Sequence, residues 1–211
     1  MTTQDTDPLT LLGQDRTLCV VRASRVPDPA GLAQALADAG IRLVEFTFTT
    51  PGVLDAIAAA AQVPGVGVAA GTVLTETQAE DAIAAGAQLL LTPDVRPDVA
   101  AAAHAAGVPV ILGALTPTEI GRAIDLGAAA VKIFPAGLGG PGYLRAIHGP
   151  FPRVRLIPTG GVNAGNARAF LDAGAFAVGA GTDVVPPDLV ERAEHGKIAE
   201  LAAAFVKTLG D

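Results

Sequence analysis

Short apolar, β-branched runs alternate with alanine-rich amphipathic segments from one end of this chain to the other. The strand-like runs are 18–22, 42–47, 66–70, 88–92, 108–112, 129–133, 154–158 and 176–179. Between them, 28–39, 53–61, 76–85, 97–106, 117–126 and 164–173 carry helical periodicity. Strands that alternate with helices of this length indicate βαβ units and a parallel sheet. Parallel strands are covered on both faces, so they read as continuous apolar runs, as these do. Gly40, Gly86, Gly107, Gly127 and Gly174 each stand where a helix returns to a strand. Glycine there supplies the left-handed residue that ends a helix. Asp28, Thr75, Thr116 and Asn163 are the expected N-caps. Eight strands and eight helices without a break in composition predict a single-domain (β/α)8 TIM barrel. An open doubly wound sheet is the rival; no Gly-x-Gly-x-x-Gly follows the first strand.

The length fits this reading, since 211 residues accommodate eight tight units and little else. One domain is expected over 1–211, with 1–10 a loose or short helical lead. Half of the chain is hydrophobic but only 4% is aromatic, so the apolar mass is small and suits helix-on-sheet packing. Fourteen basic against 21 acidic residues leave a net charge of −7, which argues against a nucleic-acid partner. The start is polar and lacks a signal-peptide pattern, and no unbroken apolar stretch reaches membrane-spanning length. A cytoplasmic setting without membrane contact is therefore expected. The single cysteine, Cys19, lies in an apolar run and reads as a small buried hydrophobe. His104, His148 and His195 have no ligand spacing, so no metal is expected.

A charge inside an apolar strand needs a reason, because charged side chains are almost never fully buried without a partner. Lys132, in Ala-Val-Lys-Ile-Phe-Pro, is one of only three lysines; Lys197 and Lys207 belong to the C-terminal helical region. An amine in apolar surroundings loses hydration, which favours the neutral form that attacks a carbonyl and forms a Schiff base. A buried structural ion pair is the plainer alternative. Glu45, in Leu-Val-Glu-Phe-Thr, is placed to pair with Lys132 across the barrel, as a proton carrier or as a simple neutralising charge. Arg22 ends the first strand, where a guanidinium suits a carboxylate or phosphate, or else is ordinary surface.

Pro158-Thr159-Gly160-Gly161-Val162 follows the seventh strand and Val178-Gly179-Ala180-Gly181-Thr182 the eighth. Barrels commonly hold phosphate on these two loops, through backbone N–H groups and a short helix N-terminus. Turns use such glycines too. Thr72 after the third strand and Pro93 after the fourth would suit a small ketoacid, or be ordinary turns.

These segments together resemble the KDPG/KHG aldolase family, the class I 2-keto-3-deoxy-6-phosphogluconate and 4-hydroxy-2-oxoglutarate aldolases. The resemblance runs from about residue 17 to 207. It is carried by Val44-Glu45-Phe46-Thr47, Ala70-Gly71-Thr72-Val73-Leu74, Val131-Lys132-Ile133-Phe134-Pro135-Ala136, Gly149-Pro150-Phe151-Pro152 and Pro158-Thr159-Gly160-Gly161-Val162. It implies that Lys132 forms the Schiff base with pyruvate and that Glu45 shuttles protons through a water. It also implies that Thr72, Pro93 and Phe134 border the pyruvate, and that Gly160, Gly161 and Thr182 hold the phosphate, beside Thr159 and Gly181. The substrate is then a 2-keto-3-deoxy phospho sugar acid, no metal or organic cofactor is needed, and the assembly is a homotrimer. The chain departs from the family's pattern at Thr49, where some members carry arginine, at Leu112, where proline is common, and at Ala69, where glycine is common. These departures bear on substrate choice, and the galactonate epimer of the substrate stays open. So do two other functions: a phosphate-binding isomerase using Glu45 as base, and a non-catalytic barrel that binds phosphometabolites.

Overall fold

The computed structural model describes residues 7–210. Eight strands form one parallel sheet: β1 Thr17–Val21, β2 Leu43–Thr47, β3 Gly67–Gly71, β4 Leu89–Leu91, β5 Val110–Ala114, β6 Ala130–Ile133, β7 Leu156–Pro158 and β8 Val178–Ala180. Their spatial order is β7-β6-β5-β4-β3-β2-β1-β8. A parallel bridge between Thr159 and Gly179 and a 2.9 Å bond from Phe176 N to Leu156 O join the two ends. The chain is the expected (β/α)8 barrel, closed at β7 and β8 by this narrow seam.

The expected strands are all present, with ends that shift by one or two residues. β5 begins late because Val108 N–H still bonds Ala103 O of the preceding helix and Pro109 has no N–H to give. Helices α2 Pro29–Asp38, α3 Val53–Ala60, α4 Glu76–Ala84, α5 Pro97–Ala105, α6 Pro117–Asp125 and α8 Ala167–Asp172 match the periodic segments. Ten α-helices occur among the described residues, against the eight expected. α1 Pro8–Asp15 precedes the barrel, α7 Gly140–His148 follows β6, and β8 is followed by both α9 Pro187–Glu191 and α10 His195–Leu209. Residues 1–6 of the expected N-terminal lead lie outside the described residues. Gly40, Gly86, Gly107, Gly127 and Gly174 all have positive φ, as their role at helix ends requires.

Asp28, Thr75 and Thr116 cap their helices by accepting from Gly31, Gln78 and Glu119 N–H. Asn163 does not cap α8, which starts after Asn166; its carboxamide accepts instead from Gly165 N–H at 2.9 Å and shapes the preceding turn. At α6, Glu119 also accepts from Leu115 and Thr116 N–H at 2.8 Å, and these bonds hold its carboxyl below the usual glutamate range. The charged form is thus favoured by folding, so its contribution is present near neutrality and fades as pH falls through the carboxylate range. Thr116→Ala should lower stability by about 1 kcal/mol, and thermal melts should show the Glu119→Gln deficit shrinking as pH falls below about 4.

The interior has two apolar layers. Leu18, Leu43, Ala69, Leu89, Leu91, Ile111, Ala130, Ile157 and Ala177 fill the barrel itself. Leu12 of α1 joins this group, so α1 stoppers the N-terminal end of the barrel. A larger cluster packs the outer faces of the strands against the helices. Cys19 lies fully buried there; burial first, and the charge of Glu45 second, push its thiol well above the ordinary range. That is the inert hydrophobe expected of it.

Candidate active site

Inward-facing positions alternate along each strand, so the last inward residue of every strand meets its counterparts at the C-terminal mouth. Lys132 of β6 and Glu45 of β2 face each other there, with Nζ 3.6 Å from Oε1. Lys132 is 5% exposed and Glu45 0%. Neither carboxylate oxygen of Glu45 accepts a hydrogen bond among the described residues. The expected pair across the interior is therefore formed. The Lys132 ammonium also lies 5.8 Å from the centre of the Phe134 ring.

Three inward glycines make room for this arrangement. A methyl at Gly71 would stand 1.8 Å from Glu45 Oε1. At Gly113 it would meet the Pro93 carbonyl carbon at 2.2 Å, and at Gly179 the Thr159 hydroxyl at 2.4 Å. Gly113 is the register partner of Lys132 across β5 and β6. The mouth is thus cleared by absent side chains, and polar groups from neighbouring strands occupy the space.

A pocket of about 230 Å³ opens on the lysine, lined by Val20, Arg22, Lys132, Phe134, Thr159, Gly160, Gly161, Val162, Gly179, Gly181 and Thr182. Eight of the eleven site residues expected from the sequence meet in this one wall. Gly160 and Gly161 have φ of +81° and +86°, conformations that L side chains rarely adopt. The Gly160 carbonyl is tied back to Gly137 N–H at 2.9 Å and the Gly161 carbonyl to the Asn166 carboxamide at 2.8 Å. The amides of Gly161, Val162, Gly181 and Thr182 donate to no acceptor among the described residues. Main-chain N–H groups left free in one pocket wall are the kind of donors that can receive an anion. The short helix expected at this wall is replaced by a single turn, in which Val184 and Val185 N–H both bond Gly181 O.

Glu45, Thr72 and Pro93, also expected at the site, are not among the residues that line this pocket. Thr72 accepts a 3.3 Å bond from the Arg22 guanidinium and holds φ at +55°, an unusual conformation for a β-branched residue. Pro93 lies with its main chain against Gly113. Val20 completes the wall with Val162 and Gly179 of the two glycine loops, and Val20 was not singled out from the sequence. Val20 had a legible signal: it is two residues before Arg22 and shares its face. A larger depression of about 350 Å³ lies at the opposite, N-terminal end of β6 and β7, lined by Ile124, Phe151 and Arg155 among others. It holds none of the expected site residues. Among the described residues no cluster of His, Cys, Asp and Glu could hold a metal ion, and no helix is long and apolar enough to cross a membrane.

The family model for KDPG and KHG aldolase matches residues 10–201. The 2-dehydro-3-deoxy-phosphogluconate aldolase of Treponema pallidum is 38% identical over 92% of this chain and 94% of its own length. The KHG/KDPG aldolase of Escherichia coli K12 is 35% identical over 89% of each. Among solved structures, the KDPG aldolase of Legionella pneumophila superposes with a TM-score of 0.87 at 31% identity, covering 95% of this chain and 98% of that one. That structure holds pyruvate captured as a covalent carbinolamine.

Proposed function

The chain belongs to the KDPG and KHG aldolase family, and on that premise we propose that its mouth cleaves 2-keto-3-deoxy-6-phosphogluconate to pyruvate and glyceraldehyde 3-phosphate. Cleavage of 4-hydroxy-2-oxoglutarate to pyruvate and glyoxylate belongs to the same proposal. Members of this family are pyruvate aldolases, carbon–carbon lyases that work through an imine. The observation that carries the reading is the buried Lys132–Glu45 pair opening on a glycine-lined anion cradle.

Lys132 Nζ attacks the C2 carbonyl, and loss of water leaves an iminium at C2. The C4 hydroxyl gives up its proton, the C3–C4 bond breaks, and its electrons flow into the iminium. The aldehyde departs and an enamine remains on the lysine. A proton returned to C3 restores the iminium, and water then releases pyruvate and free Lys132. The iminium is the electron sink, so no cofactor enters the scheme.

Glu45 both takes the C4 proton and returns one to C3, so the acid and base steps balance. Its Oε1 lies 3.6 Å from Nζ, close to the carbons that Nζ would carry, and family resemblance supports passage of the proton through a water. The amides of Gly161, Gly181 and Thr182, with the Thr182 hydroxyl, receive the phosphate, and Gly160 lets it approach the backbone. Thr159 supports this wall against Gly179. Arg22, held by Thr72, attracts the substrate's negative ends. Phe134 and Pro93 shield the reacting carbons. The homotrimer and the cytoplasmic setting are carried as parts of the same proposal.

Borohydride reduction in the presence of pyruvate tests the central step. A stable added mass mapping to Lys132 is expected; a labelled protein without that modification, or none at all, overturns the imine.

A further inference from the structure

Beyond the reacting pair, the β4 exit carries a fully buried hydroxyl whose bonds both go to main chain. Thr92 Oγ1 accepts Gly113 N–H at 3.1 Å and donates to Asp94 C=O at 2.5 Å. From these contacts we infer that Thr92 is a positioning residue for the reaction: its hydroxyl clasps the β4 turn onto β5 and fixes the Pro93 wall beside Lys132. The inference rests on the imine chemistry proposed above and adds the element that sets the ketoacid end of the pocket.

The ladder between β4 and β5 explains why a side chain is needed. Leu90 N–H bonds Pro109 O and Thr92 N–H bonds Ile111 O, both at 3.1 Å. Gly113 N–H is the next rung on β5, but the chain turns away at Thr92, and the hydroxyl takes that rung in place of a carbonyl. Pro93 has no N–H with which to hold itself to the sheet. It is trapped between the two bonds of Thr92, one on each side. The trap is tight, for the Pro93 carbonyl lies where a side chain on Gly113 would be. Gly113 in turn pairs with Lys132, so the wall and the amine are referenced to the same strand. On its outer edge the turn is tied to the loop after β3, through Arg96, which bonds Asp94 Oδ1 at 2.7 Å and Leu74 O at 3.3 Å. Those atoms are exposed or half-buried, whereas the Thr92 side chain is sealed from water, so loss of its hydroxyl leaves the buried Gly113 N–H without a partner and releases the Asp94 carbonyl of the exposed turn.

The phosphate cradle sits on the loops after β7 and β8, across the mouth from this turn. A loosened Pro93 wall therefore weakens the ketoacid end and spares the phosphate end. Thr92→Val keeps the shape and removes both bonds; Thr92→Ser keeps the hydroxyl. In the aldol-forming direction, Thr92→Val should raise KM for pyruvate about tenfold while leaving KM for glyceraldehyde 3-phosphate within about twofold. The same rise should be read in the pyruvate concentration that half-saturates borohydride trapping, and Thr92→Ser should stay near wild type in both. A wild-type protein that forms no adduct removes the imine reading itself. A wild-type adduct with unchanged pyruvate dependence in Thr92→Val overturns the clasp, as does an equal rise in both KM values. Should Thr92→Val fail to fold, Thr92→Cys, with a weaker acceptor of similar size, must show the same pyruvate-selective rise; equal KM values there overturn it as well.

Discussion

Lys132→Arg should retain a folded barrel and lose turnover by roughly 10⁴-fold or more, the scale on which loss of a covalent nucleophile is felt. Arginine preserves a cation opposite Glu45, and its guanidinium forms no imine with a ketoacid. The variant therefore separates two roles that the wild-type structure superimposes. In a phosphate-binding isomerase, with Lys132 only an electrostatic partner of Glu45, the arginine enzyme would keep much of its activity. Steady-state cleavage and borohydride trapping, each checked against a thermal melt, give the answer. Lys132→Met asks a different question. It leaves Glu45 buried without its counter-charge, which costs about 3–5 kcal/mol where a buried pair is broken on one side. Adding Glu45→Leu should recover much of that loss, because an apolar pair of similar size is often no worse than a buried ion pair. The lysine is then present for chemistry at the expense of a simpler core.

The second large effect is expected at a residue with no side chain. Gly71→Ala places a methyl 1.8 Å from Glu45 Oε1 and 2.4 Å from its carboxyl carbon, so the carboxylate must leave its position. Glu45→Gln removes its proton chemistry directly and should lower kcat by about 10²–10⁴-fold, the range for a general acid–base group. If Gly71 acts only by leaving room for Glu45, Gly71→Ala should reach a similar loss, and the double variant should be little worse than either single change. Multiplicative losses in the double variant would mean that the methyl disturbs something besides the carboxylate. Exchange of the pyruvate methyl protons with solvent follows the same step without the aldehyde and provides an independent reading.

Much of this architecture was legible in the chain because the barrel's signals are local. Parallel strands buried on both faces leave apolar runs, and Gly40, Gly86, Gly107, Gly127 and Gly174 mark helix ends whatever lies beyond them. Lys132 stood out for the same reason, as a charge in an apolar run. What stayed hidden depends on which residues face each other. A one-residue slip in register turns a side chain from the interior to the outer face. Hence Val20 passed as one more apolar residue, Thr92-Pro93 stayed either a ketoacid wall or an ordinary turn, and the room that Gly71, Gly113 and Gly179 leave in the interior went unread. The expected Asn163 cap is not made, because α8 starts after Asn166 and the glycine-rich loop before it is held by its own side-chain bonds. α1 as a stopper was invisible, since nothing local tells a helix that it will meet the end of a barrel.

The barrel's ends join at the Thr159–Gly179 bridge, and the anion cradle takes its amides from the two loops that leave that seam. An anion gripped by both loops is consequently a staple across the last contact of the ring. Its binding and the closing of the ring are one thermodynamic event, and each strengthens the other by the same factor. Substitutions that weaken the seam without touching a ligand should therefore lower affinity for the phosphate end.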